Sequence, residues 1–494
     1  MKNKQCIYFL NAGIGKRLTG IEHASLKRFK LLLQVNLNVK IITLNYSLDY
    51  EQIHMLHEIP KNCFINFYTF YQKYQLDLNR TIDDFIRMFS GFEFIRKSVN
   101  IYLGYKESKF CLKIICFKNT NKVYKIIYYD VNSIISREEI FDVKGYLSKE
   151  KTIIHQDHYV EKFYNLDNKV YLEIIHCAGQ SLYVLNGHKV KFFSNLESLH
   201  SYWLSEVLEN NDFIFIDKNR LFNEILSGPK FDNMIKIPII HSTHTINPNI
   251  KNSRLNNNYK FLIENQSFFD GCIVATEEQY DDLKNDFDMK IPIYVIPPSY
   301  IMNHRINNLK FQVDEYRILS IGRISEEKRQ EHMILAMKEV VKKIPHARLD
   351  LYGMGSKEKI EKLQKQIDFD GLSESVFLNE YSHNIKDNLF NAHLSLVTSS
   401  VEGFCIAILD SLEQGTPVVS YDIKYGPSVI IEDGVNGILV EDGNIQKLAQ
   451  SIIVFYEYYM NSYTLNTQLV LNRYSRDFVK DKWLKLLSDM GFNN

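Results

Sequence analysis

The sequence predicts an α/β protein of two parallel-sheet domains that face each other across a cleft, the first of them interrupted by a β-rich antiparallel block. Three observations carry this. Short apolar runs alternate with helical patterns toward both ends of the chain, which is the mark of βα units. Between residues 86 and 190 the character changes to short alternating runs of Tyr, Ile, Val and Lys with turn residues between them, which reads as antiparallel hairpins. Residues 399–425, SSVEGFCIAILDSLEQGTPVVSYDIKY, join a glycine turn, an apolar helix and a valine-rich strand. At 494 residues the chain exceeds what one hydrophobic core organises and fits roughly two to four domains.

Composition narrows the class. Hydrophobic residues at 45% and charged residues at 24% describe a folded protein, and 59 basic residues balance 59 acidic ones, which gives no support to nucleic acid as a main partner. The seven cysteines lack a repeated C-x-x-C, so neither a zinc site nor a disulfide framework is indicated. The opening MKNKQCIYFLNAGIGKRLTG has an apolar run broken by Asn11 and Gly13 and reads as a first strand and loop, not a secretory signal. No run of about 18 apolar residues is available to span a bilayer. A cytoplasmic protein is expected, with peripheral contact at the inner membrane face as its closest approach to lipid.

In chain order, residues 6–10 form the first strand, residues 11–20 a glycine-bearing loop, and residues 21–33 a helix whose free N–H groups suit an anionic ligand. Residues 39–45 supply a second strand. Within the β-rich block, residues 110–117, 122–129, 139–143, 152–155, 170–176 and 181–185 read as strands. The βα pattern resumes with a helix at 199–208 and strands at 212–217 and 237–240. The last of these ends in His241-Ser242-Thr243-His244, where a strand's C-terminal end meets the ligand crevice of α/β folds. Two histidines without a third ligand at helical spacing do not make a zinc site. A helix and strand at 262–276 and the run Val295-Ile296-Pro297-Pro298 close the first domain, and residues 302–311 read as a linker.

The second domain opens with a strand at 317–321 ending in Gly322-Arg323-Ile324-Ser325-Glu326-Glu327-Lys328. Strands at 346–352, 376–378 and 394–398 follow and deliver the chain to Glu402-Gly403-Phe404. Peptide N–H groups at the entrance of the next helix favour anionic ligand groups such as a diphosphate. Asp410 follows Glu402 by eight residues, a little over two helical turns of about 3.6 residues, so both carboxylates can face one side of the element. Asp286-Phe287-Asp288 mimics a metal-binding pair but stands in a charged segment apart from the other motifs. Residues 477–490, with Trp483, are amphipathic and expected to cross back onto the first domain.

The 399–425 stretch resembles the Glu-x7-Glu motif of retaining glycosyltransferases of the GT-B fold, the glycosyltransferase family 4-like group that includes bacterial teichoic acid and adhesin glycosyltransferases. The family's second Glu is Asp410 here, one methylene shorter. Arg323 and Lys328 match the family's Gly-Arg-x4-Lys element, where both cations meet the donor diphosphate; fixed cations stabilise the charge gained by leaving UDP. The resemblance further implies that Thr19 and Gly20 face the diphosphate, that Tyr381 lies near the base, and that His241, with His244 as the alternative, lies beside the donor sugar. It places Glu402, Gly403 and Phe404 at the donor and Asp410 at the ribose. It also likens the β-rich block to an accessory domain that holds the acceptor or mediates self-association.

The expected architecture is therefore GT-B, two Rossmann-like domains with a β-rich antiparallel insertion in the N-terminal one. The expected segments are 1–85 and 191–305 for the N-terminal domain, 86–190 for the insertion, 306–475 for the nucleotide-sugar domain and 476–494 for the returning helix. The expected activity is metal-independent, retaining transfer from UDP-GlcNAc or UDP-glucose, with no cofactor beyond the donor. The acceptor is expected to be a Ser-rich or Ser-Asp-repeat adhesin, with teichoic acid as the alternative. A homo-oligomer or a paired glycosyltransferase subunit is the expected protein partner. A non-catalytic acceptor-binding subunit is the rival from another class, and Asp410 in place of Glu is the feature in its favour.

Overall fold

A computed structural model describes residues 5–72, 78–302, 316–459 and 473–492. The chain separates into two compact units, one taking the chain to Ile41 and resuming it at Asn210, the other spanning Ile42–Glu209. The expected linker at 302–311 lies, beyond Met302, outside the described residues.

The first unit holds two parallel sheets. In its N-terminal part the strands Ile7–Asn11, Phe213–Ile216 and Ile235–Pro238 pair in parallel in that order. A bridge between Ile239 and Ile273 continues the array toward Cys272–Val274 and Ile293–Val295. Every residue of Ile7–Asn11 and Phe213–Ile216 is buried, as expected for central parallel strands covered on both faces. Three loops leave the C-terminal edge of this array, bearing residues 12–19, Asp217 and His241.

The C-terminal sheet has six parallel strands ordered Val376–Asn379, Arg348–Tyr352, Arg317–Ile321, Leu394–Val397, Val418–Asp422, Gly437–Glu441. The chain builds outward from Arg317–Ile321 in one direction, then returns to its other side with Leu394–Val397 and builds the opposite way. Such a reversal opens a crevice beyond the carboxyl ends of the two central strands, where the flanking connections diverge. Lys328 follows one of those strands and Glu402 follows the other.

The expected return of the C-terminal segment is present as the helix Arg476–Asp489. Its Trp483 ring is fully buried and stands edge-on to Phe9 at 6.2 Å and Phe215 at 5.1 Å. Burial of one such aromatic side chain contributes about 1.5–3 kcal/mol and anchors the tail on the first sheet. Among the described residues no helix is long and apolar enough to cross a membrane.

The second unit carries a ten-stranded antiparallel meander, in which each strand from Glu93–Ser98 to Lys191–Phe193 pairs with its sequence neighbour. Six of these strands overlap the runs read from sequence. Glu93–Ser98, Ile101–Lys106, His158–Tyr164 and Lys191–Phe193 were not among them. The first is an edge strand with five of its six residues exposed, so it lacks the apolar alternation that betrays a half-buried strand. The insertion's expected start at residue 86 falls inside the helix Ile82–Met88. That helix belongs with the sheet, because Ile82 and Phe85 share a core with Leu112, Ile114, Val123, Ile126 and Phe141. The compact unit accordingly extends well beyond 86–190 on both sides.

Candidate functional site

The geometry centres on the two loops at the switch point of the C-terminal sheet. Lys328 ends the short helical turn Glu326–Lys328, and Thr398 clamps that turn by donating its hydroxyl to the carbonyls of Lys328 and Arg329 at 2.8 and 3.0 Å. The Ser400 N–H reaches the Glu327 carbonyl at 2.8 Å. So braced, the Lys328 ammonium meets Glu402 Oε1 at 2.5 Å, and the Ser399 hydroxyl donates to the same oxygen at 2.7 Å. Both partners are largely buried, with side chains 22% and 12% exposed. Burial alone would depress the Lys328 ammonium, but the carboxylate beside it prevails and holds it above the ordinary lysine range.

Arg323 stands on the same loop, more open, and forms an ion pair with Glu327 at 2.9 Å. Asp410 lies on the helix Ile406–Glu413 and approaches Lys27 of the first helix at 3.5 Å. Lys27 also donates to Ser299 Oγ at 2.6 Å, so this ammonium ties the N-terminal helix to the ribose carboxylate expected from sequence. The Phe404 side chain is buried against Tyr474, which leaves only its backbone to meet a ligand. Thr19 caps the helix Gly20–Leu33, its N–H donating to Glu22 at 2.8 Å. A Cβ on Gly20 would meet nothing within 4 Å, so that position is open. Tyr381 stands edge-on to His383 at 5.1 Å.

Gly403 brings the two halves of the site together. A Cβ there would lie 2.4 Å from the carbonyl oxygen of His241 and 2.9 Å from the Ser242 nitrogen, so only glycine lets the Glu402 turn close on the histidine loop. Gly403→Ala is expected to lower turnover by about 10²-fold through misplacement of Glu402 against His241. Steady-state kinetics beside a thermal melt checks this; unchanged turnover in the folded variant would show that the close approach does not serve the reaction.

The His241 ring is nearly buried, and its Nε2 lies 2.7 Å from Asp217 Oδ1. Asp217 is fully buried and also pairs with the guanidinium of Arg28. Burial would raise the Asp217 carboxyl, yet Arg28 and His241 hold it below the usual carboxylate range. Burial keeps the His241 imidazole below its ordinary value, more than Asp217 lifts it. His244, the alternative read from sequence, is buried between Phe287 and Tyr425, and burial pushes its imidazole down to about 4. The His241 carbonyl packs against the turn that carries Glu402, whereas the His244 ring stacks on Tyr425. Asp217 and Arg28 went unnoticed in the sequence. The only signal was an aspartate ending the strand-like run DFIFID, since an arginine in a helix pattern is normally a solvated face.

The loop after Val418–Asp422 completes the enclosure. The Tyr425 N–H donates to the Glu402 carbonyl at 3.2 Å, while Lys424 and the Tyr425 hydroxyl both reach Asp282 of the N-terminal part, at 2.8 and 3.0 Å. Of the dismissed Asp-x-Asp, Asp288 pairs with Lys290 at 2.6 Å.

The family described as Glycosyl transferases group 1 matches residues 303–468. The poly(glycerol-phosphate) alpha-glucosyltransferase of Bacillus subtilis (strain 168) is 26% identical over an alignment covering 98% of this chain and 75% of that relative. The UDP-N-acetylglucosamine–peptide N-acetylglucosaminyltransferase GtfA subunit of Streptococcus gordonii is 23% identical over 98% of each chain. The crystal structure of the pneumococcal O-GlcNAc transferase GtfA in complex with UDP and GlcNAc superposes with a TM-score of 0.88 at 19% identity, covering 99% of this chain and 100% of that one. Fold, motif order and sequence similarity together make this chain a glycosyltransferase of the GT-B fold, one that resembles the bacterial adhesin GlcNAc transferases and the teichoic acid α-glycosyltransferases.

Proposed function

We propose that the chain transfers N-acetylglucosamine, or glucose, from a UDP donor to hydroxyl groups of a cell-surface acceptor with retention of configuration, and that it does so in the cytoplasm. The observation that carries this is the Lys328–Glu402 pair at the switch point, closed against His241 by Gly403. A cation beside a carboxylate is suited to a nucleotide sugar: Lys328 and Arg323 take the diphosphate, and Glu402 accepts from sugar hydroxyls. Asp410 is positioned for the ribose. The departing phosphate oxygen is assigned the acceptor proton, on the same face as the incoming hydroxyl. Serines of a Ser-rich or Ser-Asp-repeat adhesin are the preferred acceptor, supported by the whole-length sequence similarity to the streptococcal peptide N-acetylglucosaminyltransferase subunit.

A second reading, α-glycosylation of a teichoic acid, is favoured by one observation: the Bacillus relative, which acts on poly(glycerol phosphate), is more similar in sequence than the streptococcal subunit, 26% against 23%. Incubation of the protein with labelled UDP-GlcNAc and UDP-glucose, against adhesin-repeat peptide and poly(glycerol phosphate) in parallel, separates the two, and NMR of the product reports the anomeric configuration. Transfer to neither acceptor, with no hydrolysis of either donor, would remove the enzymatic reading.

The diphosphate charge is assigned to side chains, so EDTA is expected to leave the transfer rate unchanged within about twofold. Loss of activity restored by manganese would instead move that charge to a metal and reopen Asp286 and Asp288 as ligands.

A further inference from the structure

Resting on the reading of His241 as the residue beside the donor sugar, we propose that Asp217, held ionised by Arg28, is a positioning residue that fixes His241 as the tautomer protonated on Nε2 and so presents Nδ1 to the sugar as a hydrogen-bond acceptor. Three observations support it. Asp217 Oδ1 lies 2.7 Å from His241 Nε2, and the carboxylate is fully buried, so this contact is shielded from competing water. The carboxylate's charge is already matched by the Arg28 guanidinium, whose side chain is 2% exposed and lies over the rings of Phe9 and Trp483 at 5.3 and 5.8 Å. The main chain of His241 is fixed independently, its N–H donating to the Tyr259 hydroxyl at 3.0 Å and its carbonyl packed against Gly403.

The chemistry follows from the proton count. A carboxylate is an acceptor only, so the imidazole nitrogen facing it carries the hydrogen. With Arg28 neutralising the same carboxylate, a second proton on the ring would add an uncompensated buried charge. The ring therefore stays neutral, and its remaining lone pair is on Nδ1. A neutral histidine with a fixed acceptor nitrogen orients a sugar hydroxyl; it does not supply a proton to leaving UDP. The same buried carboxylate also couples the returning C-terminal helix to the site, since Trp483 packs over Arg28.

The test is a double-mutant cycle. Asp217→Asn keeps the shape but can turn its amide N–H₂ toward Nε2, which demands the opposite tautomer. It is expected to lower kcat by about 10–100-fold, the scale for losing an orienting partner of a functional histidine. UDP affinity, measured by calorimetry, is expected to change by no more than about twofold, because the diphosphate is held elsewhere. In a His241→Ala background the same substitution is expected to cost no more than about twofold further. An equal loss in both backgrounds, or an undiminished kcat in Asp217→Asn, overturns the proposal. If Asp217→Asn fails to fold because Arg28 is left unpaired, the charge-balanced pair Arg28→Met with Asp217→Asn replaces it in the cycle. Should the wild type prove inactive, the functional reading fails by itself, and the positioning claim is decided by ¹⁵N NMR of histidine-labelled protein. Wild-type His241 is expected to show the Nε2–H tautomer and Asp217→Asn to lose it; an Nδ1–H signal in the wild type overturns the claim.

Discussion

Lys328→Ala is expected to cut turnover by about 10²–10³, the scale for removing a preorganised group that stabilises charge in the transition state. The backbone of Lys328 is braced by Thr398 and its ammonium by Glu402 in a largely buried position, so it need not reorganise as UDP departs. Its loss also leaves Glu402 without its cation, which adds a stability cost and lowers the melting temperature. Arg323→Ala should act in the same direction but less strongly, because its guanidinium is 62% exposed and water screens it. Turnover measured as UDP release, with a thermal melt to confirm folding, checks both. Full activity in the folded Lys328→Ala protein would remove the diphosphate assignment.

Glu402→Gln is expected to reduce transfer by about 10²-fold or more while the protein stays folded. The amide keeps the size of the carboxylate and can still accept from Ser399, but it no longer balances Lys328. Because the two residues form one pair, combining Glu402→Gln with Lys328→Ala should cost much less than the product of the single losses. This variant also separates the enzyme from the non-catalytic subunit. A subunit that only binds acceptor would show the same acceptor affinity and the same lack of transfer with either residue at position 402.

Glu402, Asp410, Arg323 and Lys328 could be singled out as candidates because each sits beside local punctuation that the chain itself supplies. A glycine turn, an apolar helix and a valine-rich strand surround the first two, and a glycine ending a strand precedes the cations. The alternation of βα units and the switch to antiparallel runs were legible for the same reason, since side-chain period is a local property of the backbone. The edge strand Glu93–Ser98 escaped because a strand with only Phe94 half-buried leaves too little period to read.

What the sequence by itself determined was the α/β class with its antiparallel insertion and the residue types gathered at strand ends. The resemblance put His241 first and His244 as the alternative, and only the tertiary structure shows how different the surroundings of these two neighbouring rings are. Their difference arises from partners distant in the chain: Asp217 and Arg28 beneath one ring, Phe287 and Tyr425 around the other. The reason is physical. Local sequence sets backbone period and turn chemistry, whereas the charge state and orientation of a buried imidazole depend on groups that only folding brings within hydrogen-bond distance.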